Sequence, residues 1–487
     1  MHIQIASAQS VTPDALIIPV VQTDALAETL VAIGEKTGVP PSVLNTDFKA
    51  EAREVLPLYH PDGRKTYLLG LGKTPGSMDW LRAFRELFFK QKGKLPQQVG
   101  IDLTSFGADV LESVVLGVRG GGYDLRLYQT EKTDTSAFFS DEGQLSLLVG
   151  DLQQHDAQEL VTRAEALAAT QLDMMTLMNA PSNYMNPELL GEWAMASGEQ
   201  HGYSVTVLHQ DELEQQGLDA LLSVNKGSDL PPVLIVAEYK PAGKGIVKTV
   251  GLVGKGVTFD TGGISIKPSA NMHLMKSDMG GAAAVLGTVE AAAKLKLPVH
   301  LIGIVPATEN MVDGSATKPG DVIGSYLGKT IEVIDTDAEG RIILADGLGY
   351  MVRNYQPEIL IDLATLTGSV IAALGYHAAG LFTQDDELAT KLIQAGDRTG
   401  ERLWRMPLWD VYKEDIKSDV ADLKNFSGKP IAGSISAAKF LEVFTENHPK
   451  WAHLDIAGMA FADTEYGSQK NATAYGVRLL IDFLRNL

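Results

Sequence analysis

"GKTIEVIDTDAEGRIILAD", residues 328–346, decides how this chain is read. Counted from Asp335, acidic side chains stand at places one, three, five and twelve, with Gly340 at six. That spacing is close to a twelve-residue calcium loop, which needs a helix on the way in and a bidentate Glu at place twelve. Here the lead-in "GKTIEVI" is β-branched as a strand is, place five is Glu339 and place twelve is Asp346. Asp346 also sits in an apolar helical run seven residues past Glu339, so it faces elsewhere. A strand that delivers carboxylates and then starts a helix is instead a unit of an open α/β sheet. In such sheets ligands gather beyond the carboxyl ends of the strands.

The same alternation extends outward. Strands are expected at 203–208, 232–238, 247–253, 299–305, 330–334 and 357–363, and helices near 211–224, 280–296, 340–353 and 386–399. Runs such as "VLIVAEY" and "HLIGIV" are continuously apolar, as central strands buried on both faces are. Toward the N-terminus, strands are expected at His2–Ile5, Ala15–Val20, Thr66–Leu71, Gly100–Leu103 and Tyr123–Tyr128, with helices at Trp80–Gln91 and Gly107–Leu116. "GGGY", 120–123, reads as the turn feeding the last of these strands. The polar segment 130–157 marks a boundary, and a helix follows from about Gln158 to Leu177. Asn186 is placed to cap a helix whose first turn holds Pro187. The fold class is α/β in two domains, 1–157 and 158–487, the larger built on a mixed central sheet.

Composition narrows the function. With 61 acidic against 41 basic residues the formal charge is −20, which argues against nucleic acid or anionic lipid as a partner. There is no cysteine, so disulfides and thiolate metal sites are excluded. The first residues carry no Lys or Arg before Lys36, unlike a secretory signal, and a cytoplasmic protein is expected. The uncharged run Leu363–Gln384 is long enough to span a bilayer but is interrupted by Gly368, Ser369, Gly375, His377 and Gly380. It reads as strand, turn and helix, and no membrane partner is expected. "GLGKT" (70–74) and "LGKT" (327–330) lack the first Gly of a phosphate-binding loop.

Acids collect where the sheet rule points. One strand leads to Asp260 and "TGG", another to Asp337 and Glu339, and Asp278 precedes an Ala-rich helix. Asp278 alone is equally a helix cap. Together these carboxylates suit two divalent cations, hard or borderline, which can share a water and lower its pKa to about 7. No spaced His pair is present among ten histidines, and His273 between Asp260 and Asp278 reads as an ordinary surface residue. Lys255, Lys267 and Arg341 lie in the same segments, either neutralising the acids or stabilising an oxyanion.

These segments resemble the leucyl aminopeptidase family, two-metal cytosolic exopeptidases. The resemblance rests on "VGKGVTFDTGGISIKPS" (253–269), "KSDMGGAAAVLG" (276–287) and "DTDAEGRI" (335–342). "DLATLTG" (362–368), "SDVADLKNFSG" (418–428), "SISAAKFLEVF" (434–444) and "WAHLDIAG" (451–458) follow in family order. The match covers about 165–487, and the N-terminal domain is expected to be macro-like by analogy.

The resemblance implies that Lys255, Asp260, Asp278 and Glu339 hold one metal and Asp260, Asp337 and Glu339 the other. The ions would be Zn²⁺ or Mn²⁺, with Mg²⁺ or Co²⁺ as alternatives. A lysine ligand must be neutral, and two adjacent cations depress a pKa of about 10.4 in that direction. It further implies a metalloprotease that removes the N-terminal residue of peptides with a free amine, through a hydroxide bridging the two metals. Lys267 would stabilise the tetrahedral intermediate, and Arg341 would anchor a bicarbonate acting as base. Asp278 would lie near the substrate amine, while Met275, Thr365, Gly368 and Ala457 would line a pocket of Leu-like preference. A homohexamer is the implied assembly. Asp335 stands in place of the family's usual Asn, either altering substrate contacts or capping a turn, and Ile342 replaces Leu. The alternatives are another two-metal hydrolase, such as a phosphoesterase, or a DNA-binding member of the family with a regulatory role.

Overall fold

Where apolar runs are continuous the chain makes strands covered on both faces. In the computed structural model, which describes residues 1–487 apart from 8–9, 132–135, 151–153, 244 and 246–247, they assemble into two compact units, Met1–Leu172 and Asp173–Leu487. The helix Gln154–Asn179 carries the chain through that division. Of the polar segment 130–157, residues 132–135 and 151–153 lie outside the described residues, as does residue 247 of one expected strand.

The first unit has a six-stranded sheet in the order His2–Ala6, Gln144–Leu148, Gln98–Asp102, Ala15–Val20, Lys65–Gly70, Val55–Tyr59. Only the last pair is antiparallel. Residues 123–128 are not a strand. Asp124 accepts hydrogen bonds from the backbone N–H and the guanidinium of Arg126 and folds the segment on itself. Gly120 and Gly121 end the helix Leu111–Gly121 and do not feed a strand; the last strand of this sheet in chain order is Gln144–Leu148, within the segment read as a polar boundary.

The second unit carries a nine-stranded mixed sheet. Its centre is parallel: Trp451–Asp455, Ile359–Ala364, Thr249–Gly254 and His300–Asn310 lie side by side. Ala379–Phe382 and Val233–Tyr239 flank these four strands in antiparallel fashion. The strand Gly256–Asp260 continues along the same partner, with Asp260 opposite Asn310. Lys255 therefore marks the place where one line of chain leaves its other neighbour, Ile359–Ala364, and runs on beside His300–Asn310. The Lys255 N–H donates to the Leu363 carbonyl at 3.0 Å, and its carbonyl accepts from the Ala282 N–H at 2.8 Å. That brings the start of the helix Gly280–Lys294 against the strand ends. A Cβ on Gly281 would lie 2.1 Å from the Leu363 carbonyl oxygen, so only glycine fits there.

The expected helix 211–224 is two helices, Gln210–Gln216 and Asp219–Asn225, because Gly217 is left-handed at φ +74° and stops the first. The expected strand 330–334 is only Ile331–Glu332, in a small three-stranded sheet. Asn186 caps Pro187–His201 by accepting from the Leu189 N–H. Among the described residues no helix is long and apolar enough to cross a membrane.

Candidate metal centre

The parallel strands end in chemistry. Thr249–Gly254 leads to Lys255, Gly256–Asp260 ends in Asp260, and Ile359–Ala364 leads into Thr365–Gly368. Asp278 follows a 3₁₀ turn, Met272–Ser277, and Glu339 opens the helix Glu339–Asn354. Asp260, Asp337 and Glu339 each offer an oxygen, all within 4.8 Å of one another. Lys255 Nζ lies 2.6 Å from Asp278 Oδ2 and 2.8 Å from Glu339 Oε1, and donates to the Thr365 carbonyl at 3.0 Å. Lys267 Nζ lies 2.6 Å from Asp260 Oδ2 and also contacts Asp337. The structure thus brings together all the residues that the sequence assigned to metal binding, with Lys267 beside them.

The scaffold aims these side chains. Asp260 Oδ1 accepts from the Gly262 N–H at 2.9 Å and from Asn310 Nδ2 at 2.8 Å. Asn310 Nδ2 also reaches the Thr336 carbonyl at 3.0 Å, tying the Asp260 strand to the loop that carries Asp337. Gly262 has φ +87°, and a Cβ there would lie 2.8 Å from Asp337 Oδ1. Thr365 Oγ1 donates to Asp278 Oδ1 at 2.7 Å. Asp335 Oδ1 accepts from the Asp337 N–H at 2.9 Å, which is a turn-forming bond that an Asn would also make.

Four carboxylates converge against two lysines; Asp260, Asp278 and Glu339 are buried, and Asp337 reaches the surface. The consequences are visible in the acids. Burial, then the charges of Asp260 and Glu339, push the Asp337 carboxyl up to about 7 despite Lys267. Burial likewise raises Asp278 and Glu339. Burial works to lower Lys255, but Asp278, Glu339 and Asp260 outweigh it and hold the ammonium above the usual lysine range. Asp278 Oδ2 and both Glu339 oxygens are buried without an aligned hydrogen-bond donor. Buried anions left in this state fit a divalent cation, for which hard oxygens are the preferred ligands. The donor set therefore suits the metals expected for it.

A cavity of about 780 Å³ opens beside the acids. Lys255, Asp260, Lys267, Asp278, Asp337 and Arg341 are on its wall, and so are Met275, Thr365, Gly368 and Ala457. Glu339 is 2 % exposed and lies behind that wall. Arg341 is buried. Its Nη1 donates to the Asn425 carbonyl at 2.8 Å, and its Nε has no partner among the described residues. Burial lowers its pKa to about 10, against the pull of Glu339, Asp455 and Asp335, and leaves it cationic at neutral pH. His273 is turned to Gln469 at 3.0 Å, in keeping with its reading as an ordinary residue.

Sequence reasoning gave no role to three residues that hold the site. They are Asn310, Asn425 and Asp455. Asn425 Oδ1 accepts from the Ile334 N–H at 2.8 Å, and its Nδ2 donates to the Asp335 carbonyl at 2.6 Å. Asp455 is fully buried and accepts from Thr367 Oγ1 at 2.6 Å and from the Leu366 and Ala457 N–H groups at 3.3 Å. It thereby joins the two segments that line the cavity. The signal for Asn425 and Asp455 was available, since both lie in quoted motifs, but a polar residue that bonds backbone has no spacing of its own.

Comparison with known proteins agrees with this geometry. Residues 174–481 match the model described as "Cytosol aminopeptidase family, catalytic domain". The chain is 44% identical over 501 residues to a "Probable cytosol aminopeptidase" of Chloroherpeton thalassium, covering 98% of each. It is 42% identical over 469 residues to one of Brucella melitensis, covering 94% of this chain and 93% of the relative. Among solved structures it is similar to a mutant of tomato leucine aminopeptidase, with TM-score 0.89 and 31% identity over 100% of this chain and 96% of that one. It is also similar to the bottromycin maturation enzyme BotP in complex with Mn, with TM-score 0.83 and 31% identity over 98% and 99%. The chain belongs to the cytosol aminopeptidase family and is a metal-dependent aminopeptidase.

Proposed function

We propose that this enzyme removes the N-terminal residue, with a Leu-like preference, from peptides with a free amine, using two divalent ions held by its buried acids. The single observation that carries the reading is the convergence of Lys255, Asp260, Asp278, Asp337 and Glu339 beside a cavity large enough for a short peptide. Lys255, Asp260, Asp278 and Glu339 would hold one ion, and Asp260, Asp337 and Glu339 the other. Zn²⁺ or Mn²⁺ is the proposed pair. When bound, the ions supply Lewis acidity toward the scissile carbonyl and a water acidic enough to act as nucleophile near neutral pH.

The remaining steps belong to side chains of this chain. Asp278 accepts a hydrogen bond from the substrate α-amine and so fixes which bond lies at the reacting position. Lys267, largely buried on the cavity wall, donates to the oxygen that becomes anionic as the carbonyl is attacked. Arg341, buried with an Nε that has no partner among the described residues, suits an anion and would hold a bicarbonate that serves as base. Met275, Thr365, Gly368 and Ala457 receive the first side chain, with modest selectivity, since one methylene is worth about 1–3 kcal/mol. A cytoplasmic homohexamer is part of the same proposal, checked by light scattering.

The test is hydrolysis of a leucine anilide, its N-acetyl derivative and a phosphate monoester under added Mn²⁺ or Zn²⁺. Cleavage confined to the free-amine anilide is expected. Turnover of the acetylated compound would overturn the role of the amine, and turnover of the ester alone would favour a phosphoesterase.

A further inference from the structure

Four cationic side chains lie on the wall of the acid-bearing cavity, Lys255, Lys267, Arg341 and Lys470. Three are committed. Lys255 faces Asp278 and Glu339, Lys267 faces Asp260 and Asp337, and Arg341 donates to the Asn425 carbonyl. Lys470 differs from them. Its ammonium lies 3.4 Å from the centroid of the Tyr376 ring, and among the described residues it has no carboxylate within ion-pair distance.

The segment around Lys470 is anchored on both sides. Gln469 Oε1 meets His273 Nε2 at 3.0 Å, and the Ala472 N–H donates to Asn179 Oδ1 at 3.1 Å. Asn471–Ala472 also pairs with Phe461–Asp463. A free lysine loses much rotamer freedom when it binds an anion. Here the ring contact and the flanking bonds have removed part of that freedom in advance.

The charges of the cavity give this cation a use. With the substrate amine at Asp278, the carboxylate of a short peptide lies on the far side of the scissile bond. In a dipeptide the carboxylate follows the scissile bond by one residue, within about 3.6 Å of chain per residue. Two bound divalent ions would balance the four acids, and Lys470 is then the wall cation with no carboxylate of its own among the described residues to meet that group. We propose that Lys470, held over Tyr376, is a specificity-determining residue that receives a carboxylate carried by the residue after the scissile bond. The substrate class is then free dipeptides, or peptides with an acidic second residue. This rests on the proposed placement of the substrate amine at Asp278.

The test compares kcat/KM of the metal-loaded enzyme for Leu-Gly against Leu-Gly-amide, and for Leu-Glu-amide against Leu-Gln-amide. The readout is the ratio within each pair, which is insensitive to the fraction of enzyme that is folded. In Lys470→Gln at least one ratio is expected to fall about fivefold, the upper range for a partly exposed pair, with the change in KM. Lys470→Arg should preserve that ratio, and raising salt to about 0.5 M should shrink it in the wild type. A fall in the first ratio alone assigns the terminal carboxylate, and in the second alone an acidic side chain. Ratios equal in wild type and Lys470→Gln would overturn the proposal while leaving the aminopeptidase reading intact. Failure of the wild type to cleave any of the four peptides would overturn both.

Discussion

Asp346 closes the stretch from which the sequence was read, and its carboxylate serves the fold. It is fully buried, with Oδ2 accepting from the Leu221 N–H at 2.9 Å and Oδ1 from the Tyr326 N–H at 2.8 Å. Leu221 lies in the first turn of the helix Asp219–Asn225, so a residue far along the chain supplies that helix with its cap. Burial pushes the carboxyl up to about 7, although the backbone donors favour the anion. The unfolded carboxyl titrates near about 3.9. Between the two values the folded chain keeps a proton that the unfolded chain has lost. Stability therefore falls as pH rises through this window and is level above it. Three units correspond to about 4 kcal/mol in all, of which about 3 kcal/mol is lost between pH 5 and 8.

Asp346→Asn removes this dependence. It also turns an NH₂ group toward one of the two donors, at about 1–3 kcal/mol. The variant is therefore less stable than wild type at pH 5, and the gap closes or reverses at pH 8. For a unit of about 300 residues, 1 kcal/mol is worth about 1.5 °C in Tm, so the gap should change by about 4 °C. Calorimetry of both proteins with chelator, at matched pH, measures it. The difference between proteins cancels the other titrating groups, and the comparison needs only the transition of the second unit, since two compact units can unfold in separate steps. A gap that stays constant from pH 5 to 8 would refute the reasoning. So would loss of bound metal in the variant, because Asp346 is assigned no ligand role.

Glu339→Ala should lose metal and activity together, and full metal content by elemental analysis would remove its shared-ligand role. Lys267→Ala should keep its metal and lower kcat by about 10²-fold or more, as for loss of an oxyanion donor; an unchanged rate would take it off the list. Gly340→Ala places a Cβ 2.7 Å from Cδ and Cε of Lys255. Overpacking of this kind costs about 1–3 kcal/mol, offset in part by helix propensity, and metal affinity by calorimetric titration should fall about tenfold. Wild-type affinity in that variant would mean that Lys255 is not confined against the helix.

Much of this architecture was legible because buried parallel strands are written as continuous apolar runs, as in "VLIVAEY" and "HLIGIV". Asp260 was legible for the related reason that it ends such a run, whereas Asp278 follows a 3₁₀ turn and Asp337 a strand of two residues. What failed was local. Tyr123–Tyr128 has the composition of a strand, but one side chain, Asp124, bonds Arg126 two residues on and competes with any sheet partner. Val55–Tyr59 escaped notice because Pro57 interrupts it, and it is an edge strand, where a missing N–H is tolerated. The split at Gly217 was signalled only by that glycine within an otherwise helical pattern. Lys255 could not be told from a neutralising lysine by spacing, and its assignment came from the resemblance alone.

The partners of each acid separate support from function. Asp260 is committed twice on Oδ1, to Gly262 and Asn310, before any ion arrives. Asp278 is committed once, to Thr365, and its other oxygen faces Lys255. Among the described residues Glu339 has no aligned donor on either oxygen, and Lys255 is its ion-pair partner. A carboxylate held by several N–H groups is fixed in direction and partly neutralised, whereas one with none keeps its full charge for a cation. The fold thus fixes Asp260 as a reference point and leaves Glu339 buried and uncompensated. Burying such a group is unfavourable unless something positive meets it. In the ion-free chain that demand falls on Lys255 and on protonation of the acids. In the proposed site a divalent ion would answer it more completely, and the cost of burying these acids would become affinity for metal.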